Sequence, residues 1–186
     1  MITDIYKQKA DPKKVLKSSL IDTKLGKMIA IGDEKDLYFL DFADKQGLED
    51  KIERFRRKAK VIIVSGISNS IKSIAQELTS YFDGLLEEFK TPIYLVGSVF
   101  QKRSWNQLMY VPYGQTIAYA AQATSIGKPT AYRAVANANG ANHIAIVIPC
   151  HRIITSSGNI GGYGGGIARK QWLIDHEKSI NKKNFK

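Results

Sequence analysis

The residues best suited to chemistry are a cysteine and a histidine that follow one another in the run IPCHR at 148–152. Cys150 is the only cysteine of the 186 residues, and His151 is one of three histidines. A thiol attacks as its thiolate, which nearby positive charge favours, and a histidine can take the thiol proton. A lone cysteine is also commonly a small buried apolar residue, so the motif alone leaves both interpretations open.

A carboxylate is needed to orient such a histidine, and Asp175 and Glu177 are the candidates. Successive side chains of an extended chain point to opposite faces, so we expect a water or a turn to connect Cys150 with His151. Glu177 is predicted to lie at the C-terminal end of the last helix, where the helix dipole disfavours a negative charge. This position indicates a role elsewhere, and a solvated helix end is the plain alternative. This spacing alone is also compatible with a cysteine hydrolase.

The charge of the chain is unevenly distributed. The net charge is +11, yet residues 1–88 hold 16 Lys and Arg against 15 Asp and Glu. Residues 89–174 contain eight basic residues and no acidic one. A basic surface without carboxylates suits the approach to a polyanion such as DNA, and a hydrolase does not need it. A generally basic protein is the plain alternative.

Composition sets further limits on the class of protein. A hydrophobic content of 44% allows a buried core. One cysteine excludes an intramolecular disulfide and a cysteine-rich zinc site. The first residues lack the apolar run of a signal peptide, and no stretch has the length of a membrane span. We therefore expect a soluble, intracellular protein, cytoplasmic or, in a eukaryote, nuclear.

A change of pattern around residues 83–92 predicts two domains, 1–90 and 91–186. The lysine-rich residues 7–17 are expected to be solvated. In the first domain we predict strands and then amphipathic helices, over residues 27–31, 37–42, 48–59 and 70–82.

The second domain is predicted to be mostly helical. Its helices are expected over residues 103–111, 117–123 with Thr116 as the cap, 130–138 and 167–176. The middle two, joined by a turn at Gly127, are typical of a helix-turn-helix whose recognition helix carries Arg133. An ordinary helical hairpin is the alternative.

The segments around the cysteine are predicted to be a strand and a loop. Residues 145–148 are expected to form a short buried strand or an extended run that leads into Pro149, which restricts the backbone before the thiol. The glycine-rich loop 158–166 lets the backbone approach a ligand. It lacks the lysine of a phosphate-binding loop, so phosphate binding is not favoured.

These stretches together resemble the O6-alkylguanine-DNA alkyltransferases, also called methylated-DNA–protein-cysteine methyltransferases. IPCHRII at 148–154 matches the active-site signature of that family. The similarity continues through VPYGQTIAYAAQATSIG at 111–127, PTAYRAVANANGANHIAIVIPCHR at 129–152 and SSGNIGGYGGGIARKQWLIDHE at 156–177. The early strands, IDTKLGKMIAIG and LYFLDF, agree more weakly. The resemblance implies a small ribonuclease-H-like α/β N-terminal domain and a mostly helical C-terminal domain with a winged-helix-like helix-turn-helix.

The resemblance also implies the residue roles. Cys150 would accept the alkyl group, His151 would take the thiol proton through a water, and Glu177 would orient His151. Asn142 would be the hinge between the helix-turn-helix and the active site. Tyr119 would hydrogen-bond the target base and help to protonate the leaving guanine.

A second set of residues would contact DNA and line the base pocket. Arg133 would fill the gap that the flipped base leaves. The implied DNA contacts are Tyr119, Thr130, Ala131, Arg133, Arg152 and Lys170. The implied pocket residues are Ile153, Tyr163, Gly164 and Gly165.

The implied function is DNA repair by direct reversal of damage. The alkyl group of O6-alkylguanine, and to a lesser degree of O4-alkylthymine, would pass irreversibly to Cys150 in a single turnover. A base inside the stack must first be flipped out. The resemblance implies a monomer that binds double-stranded DNA through the minor groove with little sequence preference, without a metal or another cofactor.

Departures from the family bear on specificity and on accessory roles. Gly164 stands where the mammalian enzyme has serine, and Ala145 where it has proline, and both changes could alter pocket size. The first domain has no cysteine for the structural zinc of some relatives, so we expect none. We expect no added phosphotriester-repair and transcription-factor domain, and therefore no regulatory role.

Two other classes of protein share part of this pattern. One is a non-enzymatic binder of alkylated bases, but such relatives commonly replace the cysteine with tryptophan, whereas this chain has Cys150. The other is a helix-turn-helix regulator with a redox-sensing thiol. Such a regulator would not explain Tyr119, Arg133 and Glu177 together.

Overall fold

The computed structural model describes residues 14–184 of the chain, with side chains up to residue 180. Most of the lysine-rich segment predicted over residues 7–17 lies outside the described residues. Its last part enters the first strand, because β1 begins at Val15.

The first half of the chain forms a four-stranded sheet and two helices. The strands are β1 (Val15–Ile21), β2 (Met28–Gly32), β3 (Leu37–Phe42) and β4 (Ile62–Ser65), in the order β3-β2-β1-β4. Neighbouring strands are antiparallel except for the parallel pair of β1 and β4. The predicted β2 and β3 are confirmed, whereas β1 and β4 were not predicted. Only Leu16 and Ile21 of β1 are buried, so the strand lacks a clear apolar alternation.

The two helices of this half are α1 (Leu48–Ala59) and α2 (Asn69–Phe82), which confirms both predictions within one residue. Acidic residues in the first turn of α1 and basic residues in its last turn complement the helix dipole. Ser68 caps α2 by accepting a hydrogen bond from the backbone N–H of Ile71. The buried face of α2 includes Leu78 and Tyr81 and packs against the second half of the chain.

The second half is mostly helical, as predicted. Its elements are α3 (Val99–Leu108), β5 (Ile117–Ala118), α4 (Tyr119–Ser125), α5 (Tyr132–Gly140), a 3-10 turn (Cys150–Arg152), β6 (Ile153–Ile154) and α6 (Ile167–Asn184). Helices α4 and α5 form the predicted helix-turn-helix and pack through Ala123, Ile126 and Val135. Gly127, at φ 71°, ends the turn that follows α4.

Several predicted helix boundaries are wrong. Helix α3 starts four residues early, because Ser98 and Gln101 form a capping box at its N-terminus. Thr116 does not cap α4, since residues 117–118 are used in β5 and the helix begins at Tyr119. Helix α5 begins and ends two residues later than predicted, because the backbone N–H of Ala131 first closes a turn onto Lys128.

The strand predicted over residues 145–148 is also wrong. Ile144 bridges to Leu40, and the chain then turns, with the N–H of Val147 donating to the carbonyl of Ala145 at 2.9 Å. Ile146 has φ 71°, a left-handed conformation that is strained for a β-branched residue. This bend four residues before Cys150 aims the following backbone into the 3-10 turn.

The two halves of the chain share one core and one sheet edge. The N–H of Leu40 donates to the carbonyl of His143, and the N–H of Ala145 donates to the carbonyl of Leu40, both at 2.7 Å. Lys51 bonds Asp41 at 2.7 Å and the carbonyl of Asn142 at 2.5 Å. The first half therefore fixes the backbone from which the Asn142 side chain projects. A domain boundary at residue 90 stays a prediction.

The buried ion pair gives a test of this junction. We expect Asp41→Ala to lower the free energy of unfolding by about 3 kcal/mol, because it leaves the buried Lys51 ammonium without its carboxylate. Asp83→Ala, which removes the exposed partner of Lys24, is the matched control and should cost less than about 1 kcal/mol. Urea unfolding measures the free energy of unfolding of both variants. Equal decreases in the two variants would contradict a stabilising role for the buried contact between Asp41 and Lys51.

Candidate active site

Cys150 lies in the 3-10 turn between Pro149 and β6. Its backbone N–H donates to the carbonyl of Ile148 at 2.8 Å. Strand β6 pairs in parallel with β5, which leads directly into α4. The pairing therefore holds the turn with the cysteine against the start of the helix-turn-helix.

The thiol of Cys150 is partly buried and is contacted by the side chain of Asn142. The Asn142 amide donates to the sulfur at 3.4 Å and to the carbonyl of Ile148 at 3.0 Å, while its oxygen accepts the N–H of Ile144 at 2.9 Å. These bonds fix both ends of the amide. Burial raises the pKa of the Cys150 thiol, and the Asn142 bond offsets this only in part. The resting thiol is therefore protonated at neutral pH and needs a base.

His151 is fully buried, and its ring is oriented by Glu177. Nε2 of His151 lies 2.8 Å from Oε1 of Glu177, whereas Nδ1 is buried without a hydrogen-bond partner among the described residues. Burial lowers the pKa of His151, so the imidazole is neutral. Because a carboxylate only accepts hydrogen bonds, we assign the proton to Nε2. Nδ1 is then left as the nitrogen that can accept a proton.

Glu177 lies in the interior of α6 and is 1% exposed. The prediction that it ends the last helix is wrong, since α6 continues to Asn184. Among the described residues, five donors reach its carboxylate: the Tyr81 hydroxyl, His151 Nε2, Arg152 Nε, Arg152 Nη2 and the Gly114 N–H. Burial alone would raise the pKa of Glu177, but His151 and Arg152 outweigh it and hold the pKa well below its usual range. The site thus contains a permanent buried carboxylate.

Arg152 and Lys170 both turn inward, which corrects their implied assignment as DNA contacts. Arg152 binds Glu177 through Nε at 2.9 Å and the carbonyl of Val111 through Nη1 at 2.6 Å. Lys170 is fully buried and donates to three backbone carbonyls, those of Ile153, Ile160 and Gly162. These long basic side chains were expected at the surface because of their residue type. Here they satisfy buried acceptors instead.

The glycine-rich loop is held over the cysteine by Lys170 and by the first domain. Tyr163 lies edge-on to His151, with ring centroids 6.5 Å apart, and burial raises the pKa of its phenol well above the usual value. A Cβ on Gly165 would approach the Phe42 ring to 2.7 Å, and a Cβ on Gly164 would approach Lys45 Nζ to 2.8 Å. A side chain at Gly165 would have to displace the Phe42 ring or the loop, whereas one at Gly164 would displace only the end of the flexible Lys45 side chain.

Tyr119 is the first residue of α4 and is partly buried beside the same loop. The position of a Cβ on Gly161 would lie 3.8 Å from its hydroxyl. Burial and the nearby Cys150 raise the pKa of Tyr119, so its hydroxyl keeps its proton and can donate it in a hydrogen bond.

The residues implied at the DNA surface lie at the start of α5. Thr130 and Arg133 are exposed, and Ala131 is partly exposed. The Arg133 guanidinium lies 5.8 Å from the centroid of the Tyr132 ring. These side chains are free to meet a polyanion, unlike Arg152 and Lys170.

Sequence reasoning missed several side chains that complete the site. Tyr81 and Lys51 reach it from helices of the first domain, and Gly114 supplies a backbone donor. Tyr81 falls on the apolar face of α2, so its position is typical of a core residue. The chain offers no local signal for any of these contacts, because each spans more than 60 residues.

No cluster of His, Cys, Asp or Glu in the part of the chain that the structure describes has the geometry to hold a metal ion. In the same residues, no helix is long and apolar enough to cross a membrane.

Two family models match the chain. Residues 99–179 match "6-O-methylguanine DNA methyltransferase, DNA binding domain", and residues 16–95 match "6-O-methylguanine DNA methyltransferase, ribonuclease-like domain". The second match agrees with the ribonuclease-H-like class expected for the first domain.

Curated relatives agree with these matches. A methylated-DNA–protein-cysteine methyltransferase of Methanosarcina barkeri is 38% identical over 161 residues, which cover 86% of this chain and 96% of the relative. The Mycobacterium tuberculosis protein of that name is 52% identical over 103 residues, which cover 55% of this chain and 62% of the relative.

Solved structures are similar over most of the chain. The Mycobacterium tuberculosis O6-methylguanine methyltransferase is 36% identical, with a TM-score of 0.76, over 89% of this chain and 94% of that one. Mycobacterium tuberculosis OGT in complex with DNA is similar over the same shares, with 36% identity and a TM-score of 0.74. The chain belongs to the methylated-DNA–protein-cysteine methyltransferase family.

The buried carboxylate predicts a pH-dependent contribution to stability. Because the folded-state pKa of Glu177 is depressed, its contribution is complete above the pKa of an unfolded glutamate, about 4.3, and is lost as the pH falls through the folded value. We expect Glu177→Gln to lower the free energy of unfolding by about 3 kcal/mol at neutral pH. The difference from the unmodified protein should narrow as the pH falls below about 4.3.

Urea unfolding at a series of pH values measures this difference. Glu88→Gln is the control, because Glu88 is exposed and pairs with the exposed Lys90. A Glu177→Gln effect that stays constant with pH would show that the carboxylate charge does not stabilise the fold.

Proposed function

We propose that the protein repairs DNA by direct reversal, taking the alkyl group of O6-alkylguanine, and to a lesser degree of O4-alkylthymine, onto Cys150. The observation that carries this proposal is the placement of the only thiol of the chain. Cys150 is bonded by Asn142 and is followed by a buried histidine whose Nε2 is bound to Glu177. In a family that alkylates its own cysteine, Cys150 is the one possible acceptor.

The chemistry begins with the thiol proton. A water passes it to Nδ1 of His151, and Glu177 stabilises the imidazolium that forms. The Cys150 thiolate attacks the alkyl carbon, so that an S–C bond forms while the C–O6 bond breaks and its electron pair goes to the guanine. Tyr119 donates a hydrogen bond to the guanine as this charge develops. The thioether formed on Cys150 is not readily cleaved, so the thiol is not regenerated and each molecule reacts once.

Access to the base requires that it leave the stack. Flipping costs a few kcal/mol, which a side chain inserted into the duplex can offset in part. Arg133 is suited to this role because it is exposed at the start of α5. Tyr119, Thr130 and Ala131 complete the proposed DNA surface, and the glycine-rich loop forms the base pocket.

The proposed DNA complex is that of a monomer in the minor groove. A surface without carboxylates between residues 89 and 174 favours phosphate contact along the duplex. Affinity should therefore fall steeply with salt, and sequence preference should be small.

A repair titration tests the proposal. With a duplex that carries one O6-methylguanine in excess, we expect each protein to remove one lesion and then stop. Cys150→Ala should remove none while it still binds the lesion duplex, since only the acceptor atom is lost. Continued turnover by the unmodified protein, or removal by the variant, would overturn the assignment of Cys150.

The arginine role predicts a difference between two substrates. Arg133→Ala should slow transfer from duplex DNA about tenfold, the equivalent of 1.4 kcal/mol of lost compensation for flipping. Attack on a free O6-alkylguanine base needs no flipping, so its rate should not change. Arg57→Ala is the control, because it removes one exposed arginine from α1. Rates that fall alike on both substrates would refute the proposed insertion of Arg133.

A further inference from the structure

Tyr81 brings a first-domain side chain to the carboxylate of Glu177. It lies in α2, is fully buried, and its hydroxyl is 2.8 Å from Oε1 of Glu177. His151 Nε2 bonds the same oxygen, also at 2.8 Å. Because an ionised carboxylate only accepts hydrogen bonds, Tyr81 is the donor.

Four neighbouring aromatic rings of the described residues pack against the Tyr81 ring. Phe82, Tyr113 and His176 make edge contacts at centroid distances of 5.4, 6.1 and 5.5 Å, and Phe89 lies tilted at 5.3 Å. This packing directs the hydroxyl to Glu177. A phenylalanine would keep the ring contacts and remove only the donor.

We propose that Tyr81 is a positioning residue for the alkyl transfer, which holds the Glu177 carboxylate and limits how strongly it binds the proton on His151. The inference rests on the proton path proposed above. In this proposal the first domain contributes a side chain to the active site, in addition to supporting the backbone of Asn142.

The limit arises because three donors share one carboxylate oxygen. Oε1 of Glu177 accepts Tyr81, His151 and, at 3.1 Å, Nη2 of Arg152. Each donor partly neutralises the negative charge of this oxygen, so each hydrogen bond weakens the other two. Without the Tyr81 hydroxyl, Oε1 binds the His151 proton more strongly, and the pKa of His151 rises.

Other charged and titratable groups also face His151 and stay unchanged in this comparison. They are Glu177 and Lys170 from α6, Cys150 and Arg152 from the 3-10 turn, and Tyr163 from the glycine-rich loop. Burial and the two cations lower the pKa of His151, whereas Glu177 raises it. A change in its titration on loss of one hydroxyl therefore reports the Tyr81 bond.

The direction in which Tyr81→Phe shifts the pH dependence of alkyl transfer follows from the role of His151 as the base. His151 must be neutral to accept the thiol proton, so the transfer rate falls on the acidic side as His151 becomes protonated. In Tyr81→Phe this acidic limb should move to higher pH by about 0.5 to 1 pH unit, which is less than the full strength of a hydrogen bond to a charged group because the effect reaches His151 only through Glu177. The plateau rate should fall severalfold, because the carboxylate is held less firmly.

The experiment is a single-turnover pH profile with an O6-methylguanine duplex. Tyr38→Phe is the matched control: Tyr38 is a buried first-domain tyrosine whose hydroxyl bonds Lys14 and Asp33, away from the active site. The control should leave the acidic limb where it is in the unmodified protein. A limb that does not move in Tyr81→Phe, with only the active fraction reduced, would overturn the proposal.

A second readout separates this inference from the proposed function. NMR titration of the histidine ring nitrogens follows His151, with His143 and His176 as internal references, and needs no substrate. A higher His151 titration in Tyr81→Phe supports the proposal, and an unchanged one overturns it. If the unmodified protein transfers no alkyl group, the proposed function fails, while this titration still decides the role of Tyr81.

Discussion

The buried carboxylate of Glu177 is the interaction on which the rest of the site depends. Burying an ionised carboxylate is unfavourable unless charge and hydrogen bonds compensate it. Here the compensation comes from α2, from the loop before β5 and from the 3-10 turn, through Tyr81, Gly114, His151 and Arg152. The same bonds fix the tautomer of His151 and turn Arg152 away from the surface. One charge thus couples the packing of the fold to the chemistry of the thiol.

A second connection joins the first domain to the thiol. Residues 143–145 lie along the edge of β3, and Lys51 binds the carbonyl of Asn142. The Asn142 side chain, which contacts the sulfur, is therefore positioned by the sheet. Ala145 is part of this edge, because its N–H donates to Leu40. A proline there, as in the mammalian enzyme, would lack that donor. The presence of alanine at position 145 thus affects the junction between the two domains as well as the pocket.

Local patterns predicted the parts of the fold that depend on local physics. Helices α1 and α2 follow from amphipathic spacing, and the helix-turn-helix follows from its turn residues. Strand β1 depends on pairing with β2 and β4. The bend at Ile146 follows the bridge between Ile144 and Leu40, a contact between residues that are far apart in the sequence. In the candidate site, the IPCHR motif predicted roles for Cys150 and His151, which the structure places beside Asn142 and Glu177. It could not reveal that Arg152 and Lys170 turn inward, because their burial depends on acceptors brought together only by folding.

The most direct test of the account is peptide mass spectrometry after reaction with a duplex that carries one O6-methylguanine. The account predicts a gain of one methyl group in place of one hydrogen, on the peptide that contains Cys150 and on no other, saturating at one per molecule. Methyl groups on another peptide, or no gain while the lesion duplex is bound, would contradict it. In the latter case the protein would bind alkylated bases without repairing them.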